Sequence, residues 1–74
     1  MNEVEITHEP VELFKILKFE GIVASGGQAK ATIAEGLVSV NGVIETQKRR
    51  KIVHGDIIQI GDESYRVRLI GHRR

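Results

Sequence analysis

Seventy-four residues limit the chain to one small domain, 1–74, whose modest core leaves no room for a deep catalytic cleft beside it. The absence of cysteine excludes disulfides and thiolate metal sites and favours a reducing, cytosolic setting, and no apolar run is long enough to cross a bilayer. Net charge is +1, yet residues 1–47 carry three lysines against seven glutamates and residues 48–74 carry eight cations against three acids, which suggests one face for an anionic partner unless folding remixes the charges.

The first ten residues are acidic and lack the basic-then-apolar order of a signal peptide. Val4 and Ile6 alternate with Glu3 and Glu5, which predicts a short edge strand. Pro10 suits the first turn of a helix, where its missing N–H costs nothing. Glu12 then falls early in that helix and Lys15 and Lys18 late, as the helix dipole prefers. Val11, Leu13, Phe14, Ile16 and Leu17 supply its apolar face, with Phe14 expected in the core, and Gly21 is a natural stop. Ser25 opens a second helix: its hydroxyl can accept from the backbone N–H of Gln28 while Gln28 reaches back, a capping box. Ala29, Ile33 and Ala34 form a narrow buried stripe, and Gly36 ends the helix. Two short helices joined by Gly21 to Ala24 make a helical hairpin.

From Leu37 the period changes to two. Val38 and Val40 point inward and Ser39 outward. Asn41-Gly42 is a strong hairpin signal because both residues tolerate positive φ, and Val43 and Ile44 begin the return. Ile52 and Val53 form another extended piece before His54-Gly55-Asp56. Ile57, Ile58 and Ile60 make a strand, Gly61-Asp62 turns, and Tyr65, Val67 and Leu69 alternate with Arg66, Arg68 and Ile70. The expected fold class is α+β, a two-helix hairpin packed on a small antiparallel sheet.

Two clusters stand out as binding candidates. Lys48, Arg49, Arg50 and Lys51 repel one another and are best tolerated on a solvated loop, where they could meet a polyanion or simply keep the surface soluble. Ser25, Gly26, Gly27, Gln28 and Lys30 form a helix start whose unpaired N–H groups attract phosphate. The two glycines allow close approach, and a lysine follows one turn later. The plainer reading is a cap and a turn. The Gly-Lys-Ser/Thr ending of a nucleotide-binding loop is absent. His8, His54 and His72 have no ligand spacing, so no metal is expected. Ser25, Thr32, Thr46 and Ser64 lack a nucleophile elbow, and Asp56 after Gly55 reads as turn chemistry, so no catalytic residue is expected. Phe14, Phe19 and Tyr65 are the only aromatics. So few stacking platforms point away from single strands and towards shape and phosphate recognition.

These residues together resemble the S-four RNA-binding domain family. That pattern has Ser-Arg-x-x-Ala on a small helix, then an Ile/Leu and a Gly, then Val-x-Val-Asn-Gly, and a closing Gly-Asp-x-Ile. The match falls on Ser25, Ala29, Ile33, Gly36, Val38, Val40, Asn41, Gly42, Gly55, Asp56 and Ile58, across residues 11–60. The arginine after the serine is here Gly26. Lys30 keeps a basic residue in the helix, and the Lys48–Lys51 run would compensate. The resemblance implies a stand-alone, monomeric, non-catalytic module that binds structured RNA, ribosomal or transfer, without cofactor, membrane or small-molecule substrate. The competing expectation is a protein-interaction module whose basic face meets an acidic partner.

Overall fold

The structure, a computed structural model, describes residues 1–71. His72, Arg73 and Arg74 lie outside the described residues. The elements run β1 (Asn2–Ile6), β2 (Val11–Glu12), α1 (Leu13–Phe19), α2 (Gly26–Ala34), β3 (Val38–Val40), β4 (Val43–Ile44), β5 (Lys51–Ile52), β6 (Ile57–Ile60) and β7 (Glu63–Leu69). The fold is α+β, as expected. Five strands form one sheet in the order β1-β7-β6-β3-β4, and β2 and β5 form a separate two-stranded ribbon.

The five-stranded sheet is mixed rather than antiparallel. β1 runs parallel to β7, in the register Asn2↔Tyr65 to Ile6↔Leu69, whereas β3, β4, β6 and β7 pair antiparallel. Alternation of apolar and polar residues sets which side of a strand is buried, not which way its partner runs. β1 does take the edge position, with Val4 and Ile6 buried and Glu3 and Glu5 exposed. Val38, Val40, Ile58 and Val67 bury on the same side of the sheet. The helical hairpin covers them with Leu13, Ile16, Leu17, Ala29 and Ile33. Ala34 is exposed, so the buried stripe of α2 is narrower than expected.

Both helices end in the same way. Gly21 N–H donates to Lys18 O and Ile22 N–H to Leu17 O. In α2 the equivalent bonds run from Gly36 to Ile33 and from Leu37 to Thr32. These paired bonds satisfy the last carbonyls of each helix and require a left-handed residue, supplied by glycines with φ of 72° and 77°. Helix α1 starts later than expected. Pro10 lies outside it, and Val11 and Glu12 are extended, paired with Ile52 and Lys51 of β5. The partner that holds them lies about forty residues along the chain, beyond the reach of a local helix-start signal.

The Asn41-Gly42 turn connects β3 to β4 with φ of 53° and 85°, the geometry expected of this dipeptide. A Cβ at Gly42 would meet no heavy atom within 4 Å, so a side chain there is opposed by backbone conformation alone. Gly42→Val is therefore expected to cost about 1–2 kcal/mol. Thermal melting should show this as a loss of roughly 4–16 °C. An unchanged Tm would mean that the turn relaxes at no cost.

Candidate nucleic-acid interface

Helix α1 has no side-chain cap of its own at Glu12. Its first N–H groups are satisfied from a distance: Leu13 N–H donates to Arg50 O at 2.9 Å and Phe14 N–H to Lys48 O at 3.1 Å. Lys48 and Arg49 are the middle residues of a β-turn closed by Arg50 N–H to Gln47 O at 3.1 Å. The basic run is therefore a turn whose carbonyls cap a helix. Lys51 continues from it into β5 beside Glu12.

Two glutamates fix this turn. Glu12 faces Lys15 Nζ at 3.4 Å and Arg49 Nη1 at 3.3 Å. Its Oε1 is buried without a hydrogen bond, so the ammonium of Lys15 is its charge partner. Partial burial acts to raise the Glu12 pKa, but the neighbouring charges of Lys15 and Arg49 and the hydrogen bond from Arg49 outweigh it and hold the group below the ordinary glutamate value. Glu45 accepts from Gln47 N–H at 3.0 Å and from Arg50 Nη1 at 2.6 Å. These two donors, the backbone one foremost, lower its pKa as well.

A carboxyl whose folded pKa is depressed stabilises fully above its ordinary value of 4.5, and that contribution is lost as pH falls through the lower folded value. Hydrogen-exchange protection of the Leu13 and Phe14 amides should therefore fall before that of α2 as pH drops below the ordinary glutamate range. Equal protection across this range would detach the two glutamates from the placement of the turn.

Phe14 is half-buried, not the core residue expected from the sequence. One part of it packs on the core, and its ring is surrounded by cations. Lys30 Nζ stands 4.8 Å from the ring centroid, Arg49 Cζ 5.9 Å and Lys15 Nζ 6.0 Å. Helix α1 thus brings together the two clusters singled out in the sequence, Lys30 from α2 and Arg49 from the basic turn. Lys18 extends the strip. A Cβ on Gly26 would sit 3.7 Å from Lys18 Cδ, so the stem of Lys18 lies against the first turn of α2. From sequence, Lys15 and Lys18 read only as complements of the helix dipole. Nothing in the local spacing signals more: Lys30 and Arg49 reach Phe14 from other elements, and the Lys18 ammonium lies over Phe19 at 5.7 Å.

At the start of α2, Gln28 N–H donates to Ser25 Oγ at 3.1 Å, and Ala24 N–H donates to Gln28 Oε1 at 2.9 Å. The reciprocal cap forms with its return bond one residue earlier than in the standard box. Gly26 and Gly27 occupy the first turn, and a Cβ on Gly27 would lie 3.9 Å from Ser25 Oγ, so neither position is crowded.

Other charged groups lie elsewhere. Arg66 and Arg68 sit on the solvent face of the sheet, in register with Glu3 and Glu5 of β1, and Arg68 reaches Glu3 at 3.6 Å. Here folding does remix the sequence halves. Asn41 and Asp56 form one hydrogen-bonded unit. Asn41 Nδ2 donates to Asp56 Oδ1 at 3.0 Å, Ile57 N–H donates to Asn41 Oδ1 at 2.9 Å, and Asp56 Oδ2 accepts from Val53 N–H at 2.9 Å. His54 Nδ1 accepts from Leu69 N–H at 3.0 Å, a structural role. Among the described residues no group of three or more His, Cys, Asp or Glu could hold a metal ion, and no helix is long and apolar enough to cross a membrane.

Comparison with known proteins bears on this surface. The family model of the S4 domain, the S-four module, matches residues 4–68. YbcJ of Escherichia coli is 50% identical over 60 residues, spanning 81% of this chain and 86% of YbcJ. Its solution structure, which carries an αL motif involved in RNA binding, superposes with a TM-score of 0.71 at 45% identity, covering 92% of this chain and 87% of that one. RlbA of Bacillus subtilis, a probable ribosome maturation protein, is 34% identical over 59 residues, 80% of this chain and 83% of RlbA. The 30S ribosomal protein S4e of Thermoplasma acidophilum superposes with a TM-score of 0.68 at 30% identity, covering 81% of this chain and 32% of that larger protein. The helical hairpin, the Asn41–Asp56 unit and the docked basic turn are thus features of a chain that belongs to the S4 domain family.

Proposed function

We propose that this chain is a non-catalytic, monomeric RNA-binding protein of the cytoplasm that recognises folded RNA, ribosomal or transfer, through phosphate and shape. The observation that carries the reading is the convergence of Lys15, Lys30 and Arg49 around Phe14, with Lys48 on the same docked turn, Lys51 following it in β5 and the α2 start beside Lys18. Ser25, Gly26, Gly27, Gln28 and Lys30 would meet one stretch of backbone, and Lys48, Arg49 and Lys51 the next. Arg50, paired with Glu45 and half-buried, serves chiefly to hold the turn. A rigid strip of cations suits phosphates at fixed spacing, as in a folded RNA, better than a flexible strand. RNA binding by YbcJ and the ribosomal setting of RlbA and S4e support RNA over an acidic protein as the partner.

Titration with transfer RNA, a ribosomal RNA hairpin, duplex DNA of equal length and an acidic protein, each at several salt concentrations, tests the reading. The expected order places the folded RNAs first, with affinity falling linearly in log salt. Tighter binding to the acidic protein would favour a protein-interaction module instead.

A further inference from the structure

We infer that Phe14 is a positioning residue that makes Lys30 and Arg49, from two separate elements, a single phosphate clamp. The inference rests on the RNA-binding reading. Phe14 acts on the basic turn twice. Its backbone N–H holds Lys48 O at 3.1 Å, and its ring lies 5.9 Å from Arg49 Cζ on the same turn. Across the helical hairpin the same ring lies 4.8 Å from Lys30 Nζ. Both charged groups therefore stand within 6 Å of one ring centroid, so their separation is at most the sum of the two distances, a span that neighbouring phosphates of one backbone can bridge.

The chemistry explains why an aromatic ring stands there. Three cations crowd this spot, and Glu12 pairs with only Lys15 and Arg49. Lys30 has no carboxylate partner among the described residues, and the electron-rich ring face is what it meets instead. The ring thus holds Lys30 near Arg49 against their mutual repulsion while leaving the outward side of each cation open to an anion. Long cationic side chains lose much rotamer freedom when they bind, and holding them beforehand reduces that loss. An aliphatic residue would fill the apolar half of the site equally well but would not attract a cation. Phe14 would accordingly contribute to RNA affinity without itself needing to touch RNA.

Phe14→Leu and Phe14→Met keep the apolar packing and the backbone bond to Lys48, and Phe14→Tyr keeps the ring. In the free protein, NMR should show a ring-current shift on the Lys30 ε-methylene that Phe14→Tyr preserves and the two aliphatic variants abolish. With transfer RNA as the probe, Phe14→Leu and Phe14→Met should bind about three- to tenfold more weakly, and Phe14→Tyr should stay within about twofold of wild type. Lys30→Ala and Arg49→Ala should be non-additive in the wild-type background and additive in the Phe14→Leu background. Either aliphatic variant that folds suffices for the comparison. Wild-type binding matched by folded Phe14→Leu or Phe14→Met, or Phe14→Tyr falling as far as they do, would overturn the clamp alone. Wild-type protein that shows no salt-dependent binding to RNA would overturn the RNA reading and the clamp together.

Discussion

Replacing Lys30, Lys48, Arg49 and Lys51 together by alanine is expected to lower affinity for folded RNA by about a hundredfold near physiological salt, with Tm almost unchanged. Each cation removed takes away a phosphate contact, and the Lys30 and Arg49 losses overlap because the two act as one clamp. The slope of log affinity against log salt should become shallower by about one per cation removed. Stability should hold because none of the four side chains belongs to the core. Lys48 and Lys51 are exposed, and neither pairs with a carboxylate among the described residues. The Arg49–Glu12 pair is solvent-facing on the arginine side, and such pairs contribute little to stability. The bond from Phe14 N–H to Lys48 O uses backbone and survives the change. Arg50 is left out deliberately: its guanidinium grips Glu45, so Arg50→Ala should lower Tm and affinity together. A salt slope that stays the same after the quadruple change would remove the turn from the interface.

Asp56→Ala is expected to lower stability substantially for a residue outside the core. The carboxylate accepts from Val53 N–H and from Asn41 Nδ2, so it joins the 53–56 turn to the Asn41-Gly42 turn. Asn41 holds positive φ, a conformation that costs a non-glycine residue energy unless its side chain is anchored. Its side chain would then keep only the bond from Ile57 N–H, beside the backbone bond from Asn41 N–H to Ile57 O. Losing two bonds to a charged acceptor in a partly exposed setting should cost about 2 kcal/mol, or roughly 8–16 °C in Tm for a domain this small. Asp56→Asn should recover part of the loss, since one amide oxygen can still accept. RNA affinity measured well below the new Tm should change little, because Asp56 lies outside the cationic strip. A loss of affinity with Tm intact would instead place this turn at the interface.

What could be read from the sequence was local. Ser25 and Gln28 cap α2 because the required groups lie three residues apart. Gly36 ends the helix and Asn41-Gly42 turns the chain for reasons of backbone geometry that any short window contains. What could not be read depended on partners far along the chain. Glu12 and Pro10 looked helical, but β5 pairs with Val11 and Glu12, and the carbonyls of Lys48 and Arg50 set where α1 begins. The direction of β1 depended on β7 at the other end of the chain. The two candidate clusters were visible separately, but the residue that joins them, Phe14, carries an apolar side chain at an apolar position. Hydrophobic pattern assigns such a residue to the core and is silent about a ring with cations around it. Arg66 and Arg68 contributed to the basic half of the sequence, yet their register partners are glutamates.

The most direct test of the account is an amide chemical-shift map of the protein titrated with a folded RNA. The largest changes are expected on Phe14, Lys15, Lys18, Ser25 to Gln28, Lys30 and Lys48 to Lys51, with β1 and β7 little affected. Changes concentrated instead on Glu3, Glu5, Arg66 and Arg68, the solvent face of the sheet, would contradict it.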